Sequence, residues 1–271
     1  MLSVIIPASN EEAYLGRCLR AVLASDCPGA EVIVVANGCR DATAEVARQE
    51  LAKRPVGWSG QVIDLATGSK PLALNTGDAA ASHPIRVYLD ADVVVAPDLL
   101  LALATALTTD RPRYASGTPV IPPAKSVVTR AYARFWQGLP FNQTTAPGYG
   151  LFAVNAAGRA RWGAFPAIIS DDTFVRLQFS PEERLQVPQT YEWPMIEGFS
   201  ALTRVRRRQD AGVRELEALH PDILSREGKA RLRPLDVVGM ALRDPLGFAA
   251  YATVSLAVRT RAGGASFTRG R

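Results

Sequence analysis

Along the first hundred residues, apolar runs of strand length alternate with segments whose apolar residues recur at helical spacing. Ser3-Val4-Ile5-Ile6 is a short apolar run that Pro7 is expected to stop, the pattern of a buried strand. Leu15, Cys18, Leu19, Val22 and Leu23 then fall on one helix face, with Ser9 and Glu12 at the spacing of a capping box. Residues 31–35 form the next strand, and Asn37-Gly38 turns the chain toward a helix begun near Asp41. Residues 61–65 and 85–89 read as further strands, with a helix over 72–81 between them. This alternation predicts an α/β fold with a mostly parallel sheet flanked by helices. Past residue 100 the pattern loosens into a helix over 99–107, a Pro- and Gly-rich loop over 117–123 and a helix over 130–136. A turn and strand over 147–154 and a helix over 171–179 follow. No internal repeat or low-complexity segment interrupts the chain.

In such sheets, ligands bind outside the carboxyl ends of the strands. Three polar clusters stand where those ends are expected: Ala8-Ser9-Asn10-Glu11, Ala36-Asn37-Gly38 and Asp90-Ala91-Asp92. The last follows Val87-Tyr88-Leu89 directly, and alternate positions of an extended segment point the same way. Two carboxylates and little else suit a hard cation, Mg²⁺ or Mn²⁺, carrying a diphosphate. The plain alternative is a solvated turn, where Asp is common. Asp171-Asp172 opens a helix, so one carboxylate is a natural N-cap, while the pair is also placed to supply a general base. Gly68-Ser69-Lys70-Pro71 puts a lysine at a helix start, where phosphate oxygens can be met. Gly148-Tyr149-Gly150-Leu151-Phe152-Ala153 fits G-x-G-x-x-G/A in form, but no strand precedes it, which argues against a dinucleotide-binding dehydrogenase. Arg204, Arg206, Arg207 and Arg208 make a basic run that is either a solvated face or a set of phosphate contacts. His220 takes no role.

Composition changes this picture in two places. Three cysteines, Cys18, Cys27 and Cys39, without C-x-x-C spacing argue against a disulfide framework or zinc site and fit a reducing compartment. The start, Met1-Leu2-Ser3, lacks the basic flank of a signal peptide, so a cytoplasmic location is expected and Asn142-Gln143-Thr144 is not expected to be glycosylated. The net charge of +5 is unevenly spread: residues 204–271 carry 14 Lys/Arg against 7 Asp/Glu, the preceding residues 17 against 19. A basic tail on a near-neutral body points to an anionic surface. No aromatic-interleaved basic motif supports nucleic acid, which leaves an anionic membrane face.

Taken together, these motifs resemble a family 2 glycosyltransferase of the GT-A (Rossmann-like) fold over roughly residues 1–210. The resemblance is carried by Ser3 to Glu12, by Val34-Val35-Ala36-Asn37-Gly38 with Asp41 and Thr43, by the Gly68 to Gly77 segment, by Asp90-Ala91-Asp92 and by Asp171-Asp172. It implies an inverting transfer of a sugar from a nucleoside-diphosphate donor to an acceptor hydroxyl, with Mg²⁺ or Mn²⁺ as cofactor. By position, Asp92 is then the main metal ligand, Asp90 contacts the metal or the ribose, and Asp172 is the catalytic base. Pro7, Ala8, Glu11, Asn37 and Lys70 border the donor, while Gly148, Tyr149, Gly150 and Asp171 lie at the sugar or acceptor pocket. Residues 1–100 would form the nucleotide-sugar half, 101–203 the acceptor half, and 204–271 a basic, partly apolar helical tail. Asn37 stands where the family often has a second aspartate facing the base. The Gln-x-x-Arg-Trp motif of processive members is missing, which implies one sugar per encounter. Acceptors would be saccharides or lipid-linked saccharides of cell-envelope polysaccharide or glycolipid synthesis. A sugar-nucleotide nucleotidyltransferase normally has a Gly-rich basic loop after its first strand, which this chain lacks; a glycan-binding or scaffold protein of the same fold is a third reading, against which the intact acids argue. In the tail, residues 245–258 are uncharged for 14 residues, shorter than the ~20 that span a bilayer. They are either an interfacial helix with Phe248, Tyr251 and Leu256 inserted, giving a peripheral place on the cytoplasmic face of the membrane, or a core helix packed on the catalytic domain.

Overall fold

A computed structural model describes residues 1–139, 142, 146–228 and 233–260. The chain packs as two compact units. The first comprises residues 1–120, 148–167 and 171–193, the second residues 121–147, 168–170 and 194 onward.

The first unit is built on one sheet. Strands β1 (Leu2–Ala8), β2 (Ala30–Asn37), β3 (Ser59–Leu65) and β4 (Ile85–Leu89) run parallel in the spatial order β3-β2-β1-β4. Beyond β4 lie β7 (Leu151–Val154), β6 (Tyr114–Val120), β8 (Arg184–Glu192) and the short β5 (Val94–Val95). There β7 is antiparallel to β4 and β6, β8 is parallel to β6, and β5 is antiparallel to β8, so the sheet is mixed and mostly parallel, as expected. Strands β1 and β2 are apolar at nearly every position because both of their faces are covered. Val4, Ile6, Val32 and Val34 join a core with Leu15 and Leu19 of α1 (Leu15–Leu23), Leu51 of α2 (Thr43–Leu51) and Leu103 of α4 (Leu99–Leu107). The alternate residues Ile5 and Val35 meet α3 (Lys70–Ala80), where Gly77 lies against both.

Several local expectations are corrected. Pro7 does not stop β1: pairing with β2 continues to Ala8, while the ladder to β4 ends at Ile5, so the proline sits where the strand has one neighbour. Ser9 and Glu12 form no capping box; α1 starts after Tyr14, and the Glu12 carboxylate instead accepts from the backbone N–H of Ala42. Residues 117–120 are strand, not loop. The register of β6 against β8 shifts between Ser116 and Thr118, and a side chain at Gly117 would stand 2.8 Å from the Gln189 carbonyl. The helix at Asp171, α7, stops at Arg176 and not at Phe179. It follows the one-turn helix α6 (Ala156–Arg159).

The second unit is helical among the described residues: α5 (Val127–Gln137), α8 (Phe199–Leu219), α9 (Pro234–Arg243) and α10 (Pro245–Thr260). Glu197 closes the start of α5 by accepting from the N–H groups of Lys125 and Ser126 at 2.8 and 2.9 Å. Gly212 on α8 lets the helix press against Ile169 and Ser170, and the Glu215 carboxylate accepts from the Ile169 N–H. Helix α10 packs along α5 through Phe248 on Phe135, 5.6 Å between ring centres, and Tyr251 on Phe135 and Tyr132, 5.2 and 5.6 Å. Phe248 and Tyr251 therefore belong to the packing of this unit and are not the residues offered outward. Of the glycosylation pattern, Gln143 and Thr144 lie outside the described residues, as do 229–232 and 261–271 of the tail.

Candidate functional site

The sheet order reverses at β1: β2 and β3 continue to one side, β4 to the other. Such a switch point opens a crevice beyond the carboxyl ends of the two central strands. Here it is a recess of about 290 Å³, open to solvent, bordered by Pro7 from β1, Leu89 from β4 with Asp90 just after it, Lys70 and Leu74 from α3, Gly148 and Gly150, and Asp171 and Asp172 from α7. Residues more than 160 positions apart in sequence thus share one wall.

The strand end that carries the acids is not extended. Asp90 donates its N–H to Gly150 at 2.8 Å, and its carbonyl accepts from Val93 at 3.1 Å, which closes a turn over Ala91 and Asp92. Strand alternation therefore does not set the two side chains. The buried thiol of Cys18, on α1, lies beneath this turn with its sulfur 3.8 Å from the Asp90 carbonyl. Burial and the nearby charges of Asp92, Asp90 and Glu11 push that thiol far above the usual range.

Lys70 is the first residue of α3, behind the Ser69 N-cap, whose hydroxyl accepts from Leu72. Its ammonium lies 3.0 Å from Asp90 Oδ1 and 3.3 Å from Asp171 Oδ2. Burial works against the lysine charge, but Asp171, Asp90 and Asp172 outweigh it and hold the pKa above the ordinary value. Asp171 is only 4% exposed. Burial lifts its carboxyl to about 6, against the pull of Lys70 and with help from Asp172 and Asp90. Asp172 is half-buried and its Oδ1 accepts from the N–H of Thr173 at 2.6 Å.

The donor set is all carboxylate oxygen, which fits Mg²⁺ or Mn²⁺, and the acids already draw a cationic group, the Lys70 ammonium, between them. Among the described residues, no three His, Cys, Asp or Glu side chains converge as a cage. An ion here would complete its coordination from phosphate oxygens and water, as Mg²⁺ commonly does.

The remaining expected residues are spread around this centre. Ala8 is buried at the end of β1. Glu11 receives no side-chain role from its backbone, whose N–H donates to Thr43 Oγ1 at 2.7 Å. Asn37 is buried and its amide donates to the carbonyls of Ala8 and Val35 at 2.9 and 3.4 Å, stitching the ends of β1 and β2. The Tyr149 ring stacks on Trp193, 5.1 Å apart and 24° from parallel. Between them Gly150 has φ +67°, and a side chain there would stand 2.8 Å from Trp193 and Val93. Trp193, Leu74 and Cys18 were not singled out as site residues from sequence. Trp193 follows a strand whose pattern Pro188 interrupts, and only the fold returns it to Tyr149. Arg206, Arg207 and Arg208 belong to the second unit, on α8. There Arg206 reaches the Tyr132 hydroxyl at 3.3 Å and Arg207 the Ala257 carbonyl.

Comparison with known proteins agrees with this fold. The model of glycosyl transferase family 2 matches residues 3–166. The chain is 39% identical over 93 residues to the glycosyltransferase AglE of Haloferax volcanii, a stretch that spans 34% of this chain and 30% of that relative. Among solved structures, the mannosyltransferase PcManGT from Pyrobaculum calidifontis, in complex with GDP-Man and Mn²⁺, aligns with a TM-score of 0.62 at 20% identity, covering 97% of this chain and 76% of that one. TarS from S. aureus in complex with UDP-GlcNAc aligns at 0.58 and 12% identity, covering 96% and 91%. At these identities the structures speak for the fold, which is GT-A.

Proposed function

The chain belongs to glycosyl transferase family 2, and we propose that it moves a sugar from a nucleoside-diphosphate donor to an acceptor hydroxyl in one displacement with inversion. Membership of a glycosyltransferase family favours sugar transfer over the nucleotidyltransferase reading. The observation that carries the proposal is the recess in which Asp90, Lys70, Asp171 and Asp172 meet at the switch point between β1 and β4. Asp172, partly exposed to the recess, takes the proton of the acceptor hydroxyl as its oxygen bonds to the anomeric carbon. The bond from that carbon to the diphosphate breaks, and the diphosphate leaves with the electron pair. Lys70 faces the leaving phosphates once its ion pairs with Asp90 and Asp171 loosen. Mg²⁺ or Mn²⁺, held by Asp92 and Asp90, would neutralise the charge that grows on the leaving group. Pro7, Ala8 and Glu11 border the nucleoside, and Asn37 supports that edge through the Ala8 carbonyl. The Tyr149–Trp193 stack offers an apolar face beside the recess for a sugar ring.

Residues 1–100 supply most of the donor side and 101–203 the acceptor side, with single additions rather than processive extension. The basic tail suits a lipid-linked acceptor of cell-envelope polysaccharide or glycolipid synthesis, met at the cytoplasmic face of the membrane. PcManGT and TarS carry different donors, GDP-Man and UDP-GlcNAc, so the donor is found by assay. UDP-, GDP- and dTDP-sugars are offered with Mg²⁺, with Mn²⁺ or with chelator, and metal-dependent release of the nucleoside diphosphate is expected from one of them. Release that ignores chelator refutes the metal assignment; long polymer in the product refutes single addition.

A further inference from the structure

Helix α9 turns its apolar side outward. Leu235, Val238 and Leu242 recur on one helix face and are 83%, 54% and 79% exposed, and Leu246, in the first turn of the next helix α10, is 73% exposed. The more sheltered side is made by Val237, Met240 and Ala241. A surface helix ordinarily shows water its polar face, and an aliphatic strip left outside marks an interaction site. Arg243 stands exposed between Leu242 and the start of α10, and exposed Arg233, which shares its charge with Asp236, precedes Leu235.

We infer that this strip docks the protein on an anionic phospholipid surface, its leucines entering the boundary between headgroups and acyl chains. The inference deepens the membrane-face reading of the tail given above and rests on it, but moves the main contact from Phe248 and Tyr251 to α9; Leu256 of α10, the third residue of that reading, is exposed as it requires. Charge selects the occupant. Exposed Arg243 flanks the strip, and residues 204–271 hold twice as many basic as acidic side chains, which attracts anionic lipid. No described helix is long and apolar enough to cross a membrane, so the contact is interfacial.

The test is co-sedimentation of the full chain with vesicles of phosphatidylcholine mixed with phosphatidylglycerol, and with phosphatidylcholine alone. Binding to the mixed vesicles that weakens with salt is expected, and Leu242→Ser with Leu246→Ser lowers partitioning at least about tenfold at an unchanged unfolding midpoint. In a second variant, Leu242→Trp, the added emission moves to shorter wavelength when mixed vesicles are supplied. Undiminished binding by the double variant overturns the strip and leaves the tail reading standing; no binding by the parent chain overturns both. A Leu242→Trp shift that follows protein concentration without vesicles makes the occupant a second copy and overturns the lipid assignment. None of these readouts uses sugar transfer, so failure of the transferase reading is seen separately.

Discussion

Asp171 in the first unit and Leu242 in the second depart from ordinary burial in opposite directions. One is a carboxyl held inside a protein at the start of α7, the other a leucine held out in water on α9. Both oppose the transfer free energies that build the rest of each unit. Leu103, fully buried under the sheet, and the ordinary surface charges need no further explanation, whereas these two positions do. The buried acid makes sense beside Lys70, Asp90 and Asp172, facing a charged ligand. The exposed leucine makes sense when the solvent on that side is lipid. The lesson is that the molecule's chemistry is read from where its folding rules are reversed, and the two reversals point to two different surroundings.

The comparison predicts unequal responses to similar cuts. The largest is at the recess: Asp172→Asn keeps the shape of the side chain but cannot accept the acceptor proton, and transfer falls by about 10²–10⁴-fold. Donor affinity, measured by calorimetry, stays near the parent value; donor affinity lost along with rate would make Asp172 a binding residue. Next come two leucine truncations. Leu103→Ala removes a side chain from the core beneath the sheet and lowers stability by about 2–5 kcal/mol. Leu242→Ala removes the same atoms from water, and its urea midpoint stays within about 0.5 kcal/mol of the parent. A large loss at Leu242 would mean that the strip is covered within the folded chain, and the contrast between the units would collapse.

What the chain discloses about itself follows the same division. Strands β1, β2 and β4 were legible because strands covered on both faces read as unbroken apolar runs, and Asp90-Ala91-Asp92 was legible because it stands next to one in sequence. Strand β8 was not read: Leu185 and Val187 alternate with polar residues, but Pro188 breaks the pattern and Gly117 hides the partner strand β6. The turn at Asp90 replaced the extended segment expected there because the Asp90 carbonyl accepts from the Val93 N–H three residues on, while Gly150, sixty residues away, holds the Asp90 N–H. Neither the pairing of Lys70 with Asp171 nor the stack of Tyr149 on Trp193 can be reached by local pattern, since each joins residues that only the sheet brings together. Helix α8 buries a thin stripe, Leu202, Thr203, Gly212 and Leu216, among arginines, so its periodicity is weak. Exposure of the α9 leucines has no sequence signal at all, because the helical period is the same whichever face turns inward.

The most discriminating effect concerns the buried acid itself. In the folded chain the Asp171 carboxyl titrates at about 6, above its ordinary value near 4, because burial disfavours the charge more than Lys70 favours it. A folded-state value above the unfolded one means that the folded state holds the extra proton between those two pH values. Stability is then greatest below pH 4 with respect to this group and declines as pH rises toward 6, by on the order of 3 kcal/mol in total. Asp171→Asn mimics the protonated form at every pH, so its urea midpoint exceeds the parent's at pH 7 and the gap closes as pH falls toward 4. An Asn variant less stable than the parent at pH 7 would mean that the Lys70–Asp171 pair holds the fold together, and the buried acid would cease to be a counterpart of the exposed leucines. A more stable variant that has lost donor binding or transfer leaves one account of Asp171: its charge is kept at the expense of the fold because the recess uses it.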